Sequence, residues 1–252
     1  MSALNRKLLR DIVHLKTQLI AVTLVTVCGI ALFVALRSMH GYLMSAQSDY
    51  YRDYRFAHVF ANVVRAPNAT ARPIARMPGV AETQTRIATE VRLDVPGLDE
   101  PATGRLISIP VRRTRMINDL FIARGDYPGA ARNEVLVSNA FAKANALSPG
   151  DVITAIINGR REELHISGMA TSPEFIYEIR SGDIFPDNRR FGVIWMTEPG
   201  LAAALDMEGA FNELALTLSP GASEADVIAR LDTLLRPYGG SGAYGREQQV
   251  SH

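Results

Sequence analysis

Cysteine, tryptophan and lysine are all scarce in this sequence: one cysteine, one tryptophan, and lysine only at Lys7, Lys16 and Lys143. A lone Cys28 rules out an intramolecular disulfide and a cysteine-based zinc site. No lysine follows a glycine, so a phosphate-cradling Gly-x-x-x-x-Gly-Lys loop is missing and the chain does not bind ATP in that way. The five histidines, His14, His40, His58, His165 and His252, never stand at metal-ligand spacing, which argues against zinc. Neither sign of charge is in excess: 27 basic residues face 26 acidic ones, whereas a nucleic-acid partner calls for a strong basic surplus. The composition implies no cofactor, and with 47% hydrophobic residues the chain has apolar material for one good core or two small ones.

What the sequence does have begins with "LIAVTLVTVCGIALFVAL", Leu19 to Leu36, which contains no charge, Asn, Gln or Pro. As a helix it is about 27 Å long, enough to span a bilayer. A removable signal peptide has a shorter apolar core and a small-x-small cleavage site. Here "ALRSMHGY" follows, with Arg37, His40 and Tyr42, so a retained anchor is expected. Arg6, Lys7, Arg10 and Lys16 precede the span, placing the N-terminus in the cytoplasm and everything after Arg37 outside. Within that leader Leu4, Leu8, Ile12 and Leu15 recur at helical spacing opposite Arg6, Lys7 and Arg10. Such a basic amphipathic helix suits anionic lipid or a cytoplasmic partner; topogenic charge alone is the simpler reading.

Beyond the span, residues 37–55 keep helical register as a stalk, with Tyr42, Tyr50, Tyr51 and Tyr54 towards the outer interface. Strand composition at Phe56–Ala66, a short helix, a Pro78-Gly79 turn and an alternating strand make a first α/β unit over 56–119. Residues 120–189 read as an inserted β-rich subdomain. In it "EVLVS" is a strand, Ser138 caps a helix running to Ala146, and Asn158-Gly159 closes a hairpin. Residues 190–238 form the second α/β unit: strand "RFGVIWM", helix "EPGLAAALDM", strand "FNELALTL", and a closing amphipathic helix capped by Ser223. A polar, Gly-rich linker, 239–252, ends the chain. The expected fold class is therefore α+β: one transmembrane helix, then two β-α-β-type units around a β-rich insertion.

Catalytic signals are weak. Ser138, Asp151 and His165 contain triad residue types, but no Gly-x-Ser-x-Gly elbow surrounds any serine, and His165 alternates with Leu164 and Ile166 as an outward strand residue. Arg124-Gly125-Asp126, before Tyr-Pro-Gly, reads as a turn. "SPEFIYEIRSGDIFPDN", Ser172 to Asn188, is the least scaffold-like stretch. Its Glu174, Phe175, Tyr177 and Phe185 are candidates for partner or substrate contact, against a plain reading in which the aromatics cap the β-rich part. As a calcium loop it lacks the regular acidic spacing.

Taken together, "YYRDYRFAHVFANVVRAP", "PGV" at Pro78, "RGDYP", "NEVLVSNAFAKANALSPGDVI", "INGRREELHISGMATSPEFIY" and "FGVIWM" make the chain resemble the N-terminal part of MacB/FtsX-type ABC transporter permeases with their MacB-like periplasmic core domain. The resemblance covers nearly the whole chain. It implies a porter-like part of two α/β units with a β-rich insertion, in the bacterial inner membrane. It also implies a cytoplasmic ABC ATPase subunit that does the ATP hydrolysis, a periplasmic adaptor protein, and a dimer in the full permease. Such permeases continue into further membrane helices where this chain stops, so a truncated or split permease is expected. The alternative is a single-pass sensor or assembly module with an extracytoplasmic ligand-binding domain.

Overall fold

A computed structural model describes residues 16–129, 133–180, 182–183 and 185–249. By its internal contacts the chain divides into two units, residues 1–50 and 51–252. The first is dominated by helix α1 (Lys16–Asp53), whose last turn belongs to the second unit. No proline or charge interrupts it between Leu19 and Leu36, and the Thr26 hydroxyl donates back to the Val22 carbonyl at 2.8 Å, so this polar group is satisfied inside the helix. Ile20, Leu24, Val27, Leu32 and Phe33 are all exposed. Among the described residues it is the one helix long and apolar enough to cross a membrane.

In the second unit the chain runs through β1 (Val59–Pro67), α2 (Ala71–Ala75), β2 (Val80–Arg86), β3 (Ala88–Asp94), β4 (Ala102–Ile109), β5 (Phe121–Gly125) and β6 (Glu134–Ser138). It continues as α3 (Asn139–Ala144), β7 (Val152–Ile157), β8 (Arg160–Thr171), β9 (Phe191–Thr197), α4 (Glu198–Leu205), β10 (Ala210–Leu218), α5 (Glu224–Leu235) and β11 (Ala243–Gly245). The strands form two sheets.

The smaller sheet has the order β11-β1-β10-β2, every neighbour antiparallel, so that β1-α2-β2 and β10-α5-β11 are two β-α-β units, each split by a strand of the other. Alternation in β1 sends Val59, Ala61 and Val63 to a core shared with Ile74 of α2 and with Val227, Leu231 and Leu235 of α5. Those three α5 residues are spaced by four, one stripe of the helix, and Ser223 caps it by accepting from the Asp226 N–H at 3.3 Å. The other face, with Phe60 and Ala215, packs on Phe56 and Ile117.

The larger sheet, β5-β8-β6-β9-β4-β3-β7, closes on itself because the twelve-residue β8 has two partners. Its first half, Arg160–His165, pairs with β7 and its second half, His165–Ala170, with β6. The result is a six-stranded barrel, with β5 added along the end of β8. Leu93, Leu106, Val137, Ile153, Leu164 and Ile194 belong to its core. At two inner positions a side chain would force a neighbour to move: a Cβ at Gly104 would lie 2.7 Å from the Leu93 side chain, and one at Gly192 would lie 2.4 Å from the Phe141 ring. The β7–β8 hairpin turns on Asn158 and Gly159, both at positive φ (48° and 75°), as a type I′ turn requires.

The boundaries differ from those expected. Strands β3 and β4, assigned to the first α/β unit (56–119), belong to the barrel, as do β9 and its following helix, assigned to the second (190–238). The insertion thus takes strands from Ala88 to Thr197, not only 120–189. The reason lies in β9: all seven of its residues are buried, Ile194 and Met196 inside the barrel and Phe191, Val193 and Trp195 beneath an outer layer containing Met116, Leu120 and Phe175. A continuous apolar run marks a strand covered on both faces but not the sheet that receives it.

Candidate functional site at the junction of the two sheets

Where the sheets meet, four charged side chains are packed together. Arg86 ends β2, at the point where the chain crosses to β3; Glu213 pairs opposite it in β10. The barrel side supplies Arg105 from β4 and Glu174 from the turn after β8. Arg86 grips Glu174 bidentately, Nη1 to Oε2 at 2.6 Å and Nη2 to Oε1 at 2.8 Å, and Nη2 also donates to Glu213 Oε1. Arg105 Nη2 donates to Glu213 Oε2 at 2.8 Å. Three of the four are almost wholly buried, with side chains 5% (Arg86), 1% (Glu174) and 4% (Glu213) exposed, while Arg105 is 20% exposed. Burial opposes the Arg86 charge, but Glu174 and Glu213 outweigh it and hold its pKa above the ordinary value. Burial likewise opposes the charge on Glu213, yet Arg86 and Arg105 keep its carboxyl below the ordinary range. Tyr244 is pushed up to about 12 by burial and then by both carboxylates, so it stays a neutral phenol. Beside Arg105 a cleft of about 260 Å³ opens between the sheets, lined by Asn62, Thr89, Glu90 and Asn212 among others. Asn212 acts there as a pseudo-strand residue, exchanging hydrogen bonds of 2.8 and 2.7 Å with the N–H and C=O of Ala88.

The end of α1 is built into the same region. The Phe56 N–H donates to the Tyr51 carbonyl at 2.8 Å, and their rings lie 4.7 Å apart. Arg246, just after β11, covers both rings at 5.5 and 4.8 Å and donates to the carbonyls of Ala57 (2.8 Å) and Phe56. His58 is held below its usual pKa by burial and then by Arg246; its Nδ1 accepts from the Leu218 N–H at 3.3 Å, as a neutral ring can. Asn118, 3% exposed and at φ 55°, joins this end to the charges: Oδ1 accepts from the Ala57 N–H at 2.7 Å and Nδ2 donates to Glu174 Oε2 at 2.5 Å.

A third buried carboxylate, Glu178, has no ion pair among the described residues. Glu178 accepts from the Ser138 hydroxyl at 2.6 Å, and the same hydroxyl oxygen accepts from the Val193 N–H at 3.2 Å. Burial pushes Glu178 up to about 7, more than its hydrogen bonds from Ser138 and Val193 pull it down. This corrects the expected role of Ser138: it occupies the N-cap position of α3 but makes no side-chain cap bond, and the helix ends at Ala144. Nor do the triad types converge, since Ser138 is engaged by Glu178, Asp151 accepts from the Ser148 N–H, and His165 is exposed.

The contact candidates divide. Glu174 and Phe175 are buried, one in the ion network and the other with its ring 6.4 Å from Trp195, so both act as scaffold instead of presenting a surface. Tyr177 and Phe185 are 65% and 79% exposed. Leu19 and Leu36 lie within α1, and Arg6, Lys7 and Arg10 lie outside the described residues. Sequence reasoning missed Arg86, Arg105, Asn118 and Glu213; the one available signal was a charge at an inward position of an alternating strand, as Glu213 is in "FNELALTL". Among the described residues no group of His, Cys, Asp or Glu could hold a metal ion.

Comparison with known protein families and with curated protein sequences gave no match. Among solved structures, the chain is similar to the periplasmic region of MacB from Actinobacillus actinomycetemcomitans, at 10% identity and a TM-score of 0.49 over 78% of this chain and 92% of that one. It is also similar to the extracellular domain of the ABC-type transporter YknZ from Gram-positive bacteria, at 10% identity and a TM-score of 0.46 over 75% of this chain and 98% of the other.

Proposed function

We propose that this chain is the membrane-anchored periplasmic core region of an ABC transporter permease of the export or mechanotransmission type. Its porter-like part is the smaller sheet, its insertion the barrel. In this reading a separate cytoplasmic ATP-binding subunit moves the membrane helices, and the domain passes that motion to a substrate or a periplasmic adaptor. The observation that carries it is α1: one unbroken 38-residue helix contains an apolar stretch of spanning length, and its last turn is packed into the extracytoplasmic domain by Tyr51, Phe56 and Arg246. The last residues of that helix are held on the domain itself, Tyr51 against the Phe56 ring with Arg246 over both. The resemblance in sequence supports the same assignment.

The test is fractionation and topology in cells. The chain is expected in carbonate-washed inner membranes, with a cysteine at Ser45→Cys (in a Cys28→Ser background) labelled by an impermeant maleimide from the periplasmic side. An ATP-binding subunit should co-purify with it. A soluble, processed protein, labelling from the cytoplasmic side, or capture of a sensor kinase instead of an ATPase overturns the proposal.

A further inference from the structure

We propose that Asn118, Glu174, Arg86, Glu213 and Arg105 form a relay through which displacement at the end of α1 reaches the barrel. The inference rests on the proposed function and assigns its moving parts. The chain of contacts is continuous: Ala57 N–H to Asn118, Asn118 to Glu174, Glu174 to Arg86, Arg86 to Glu213, Glu213 to Arg105. At its input end four successive residues hang on one short segment. The Asn118 N–H donates to the Arg55 carbonyl at 3.1 Å and the Asp119 N–H to the Tyr54 carbonyl at 2.8 Å, in addition to the Ala57 bond and the packing of Phe56 on Ile117. At its output end Arg105 stands on β4, between β3 and β9 in the barrel wall.

The arrangement of signs matters. The smaller sheet supplies Arg86 and Glu213 and the barrel side Glu174 and Arg105, so both ion pairs that cross the junction are attractive and the cluster is neutral. For stability alone apolar packing would serve as well or better, because desolvating four charges is costly. What charges add is discrete geometry. Arg86 serves both carboxylates through its terminal nitrogens while its buried Nε has no partner among the described residues, and Arg105 Nε is in the same condition. Each guanidinium therefore holds a spare donor at the same fork, so a carboxylate can move by one nitrogen and keep a charge-assisted bond. A network with two pairings of similar quality is the kind of two-state element that coupling requires.

Hydrogen exchange on the full chain in lipid nanodiscs, read by peptide, tests the relay without any partner. Arg105→Gln removes the far end, five links from Ala57. The expected result is about tenfold faster exchange in the peptide containing Ala57, with α5 unchanged, since a lost charge-assisted bond is worth about that factor locally. Arg105→Lys, which keeps the charge but loses the fork, should recover part of the protection. Equal acceleration in α5 marks general destabilisation and overturns the relay, as does an unchanged Ala57 peptide. If Arg105→Gln does not fold, Asn118→Gly, which keeps the positive φ and deletes the amide, is read the opposite way at β3 and β4, where unchanged exchange overturns it. Failure of membrane fractionation or ATPase co-purification would remove the proposed driver without altering these exchange rates, so the two ideas fail separately.

Discussion

Replacing Glu178 by glutamine should stabilise the domain at alkaline pH and leave it no more stable in acid. The carboxyl is buried against Ser138 and Val193 with its pKa at about 7, against an ordinary 4.5. A folded-state value above the unfolded one means that stability is fully present below pH 4.5 and is lost as pH rises to about 7, where the folded protein must ionise a group that burial keeps neutral. Two and a half units at about 1.4 kcal/mol each give a cost on the order of 3 kcal/mol above pH 8. The amide can still accept from the Ser138 hydroxyl, but its NH2 needs an acceptor that the carboxylate did not, which takes back about 1 kcal/mol. The net expectation is a Glu178→Gln variant about 1–3 kcal/mol more stable than wild type at pH 8 and equal or slightly weaker at pH 4.5. Trp195, the only tryptophan, is buried two residues from Val193 and reports urea unfolding of the full chain in micelles at each pH. Because other titrating groups are common to both proteins, the difference between them isolates Glu178. A difference that is the same at pH 5 and pH 8 would refute the reasoning, for it would mean that Glu178 is ionised in the fold at no cost.

Three other outcomes are expected. Arg86→Met leaves Glu174 and Glu213 facing each other without their shared cation and should cost about 3–5 kcal/mol in chemical denaturation, with partial recovery on adding Glu174→Gln. Gly192→Ala forces a methyl group against the Phe141 ring and should cost about 1–3 kcal/mol, reduced when Phe141→Leu makes room; an unchanged midpoint would mean that the barrel interior is looser than its packing indicates. Phe175→Ala should cost about 3–5 kcal/mol, whereas Tyr177→Ala and Phe185→Ala should stay within about 0.5 kcal/mol, leaving the latter two free to report on partner binding in pull-downs.

How much of this was legible in the sequence depends on the range of the interaction that decides each feature. Local rules worked where one segment settles the matter: the apolar run of α1, the Asn158-Gly159 hairpin, the Ser223 cap and the outward His165 all rest on residues within a turn or two of each other. Ser138 fails by the same measure, because its hydroxyl had a local use at the N-cap and a distant one at Glu178, forty residues on, and the buried carboxylate won. Sheet membership was out of reach for a related reason. Strand β9 is apolar throughout, and a strand buried on both faces carries no alternation to say which sheet surrounds it. The junction is the extreme case: Arg86 meets Glu213 across 127 positions and Glu174 across 88, and nothing near any of them distinguishes a paired, buried charge from a solvated one. Glu174 stands among aromatics, a composition that reads as an exposed contact. The same mixture also marks a loop that carries one charge inward to meet its partner. Where a short segment mixes acids with aromatics, the fold can send alternate residues in opposite directions: here Glu174, Phe175 and Glu178 point inward and Tyr177 and Phe185 outward, so one loop both closes the junction and faces solvent.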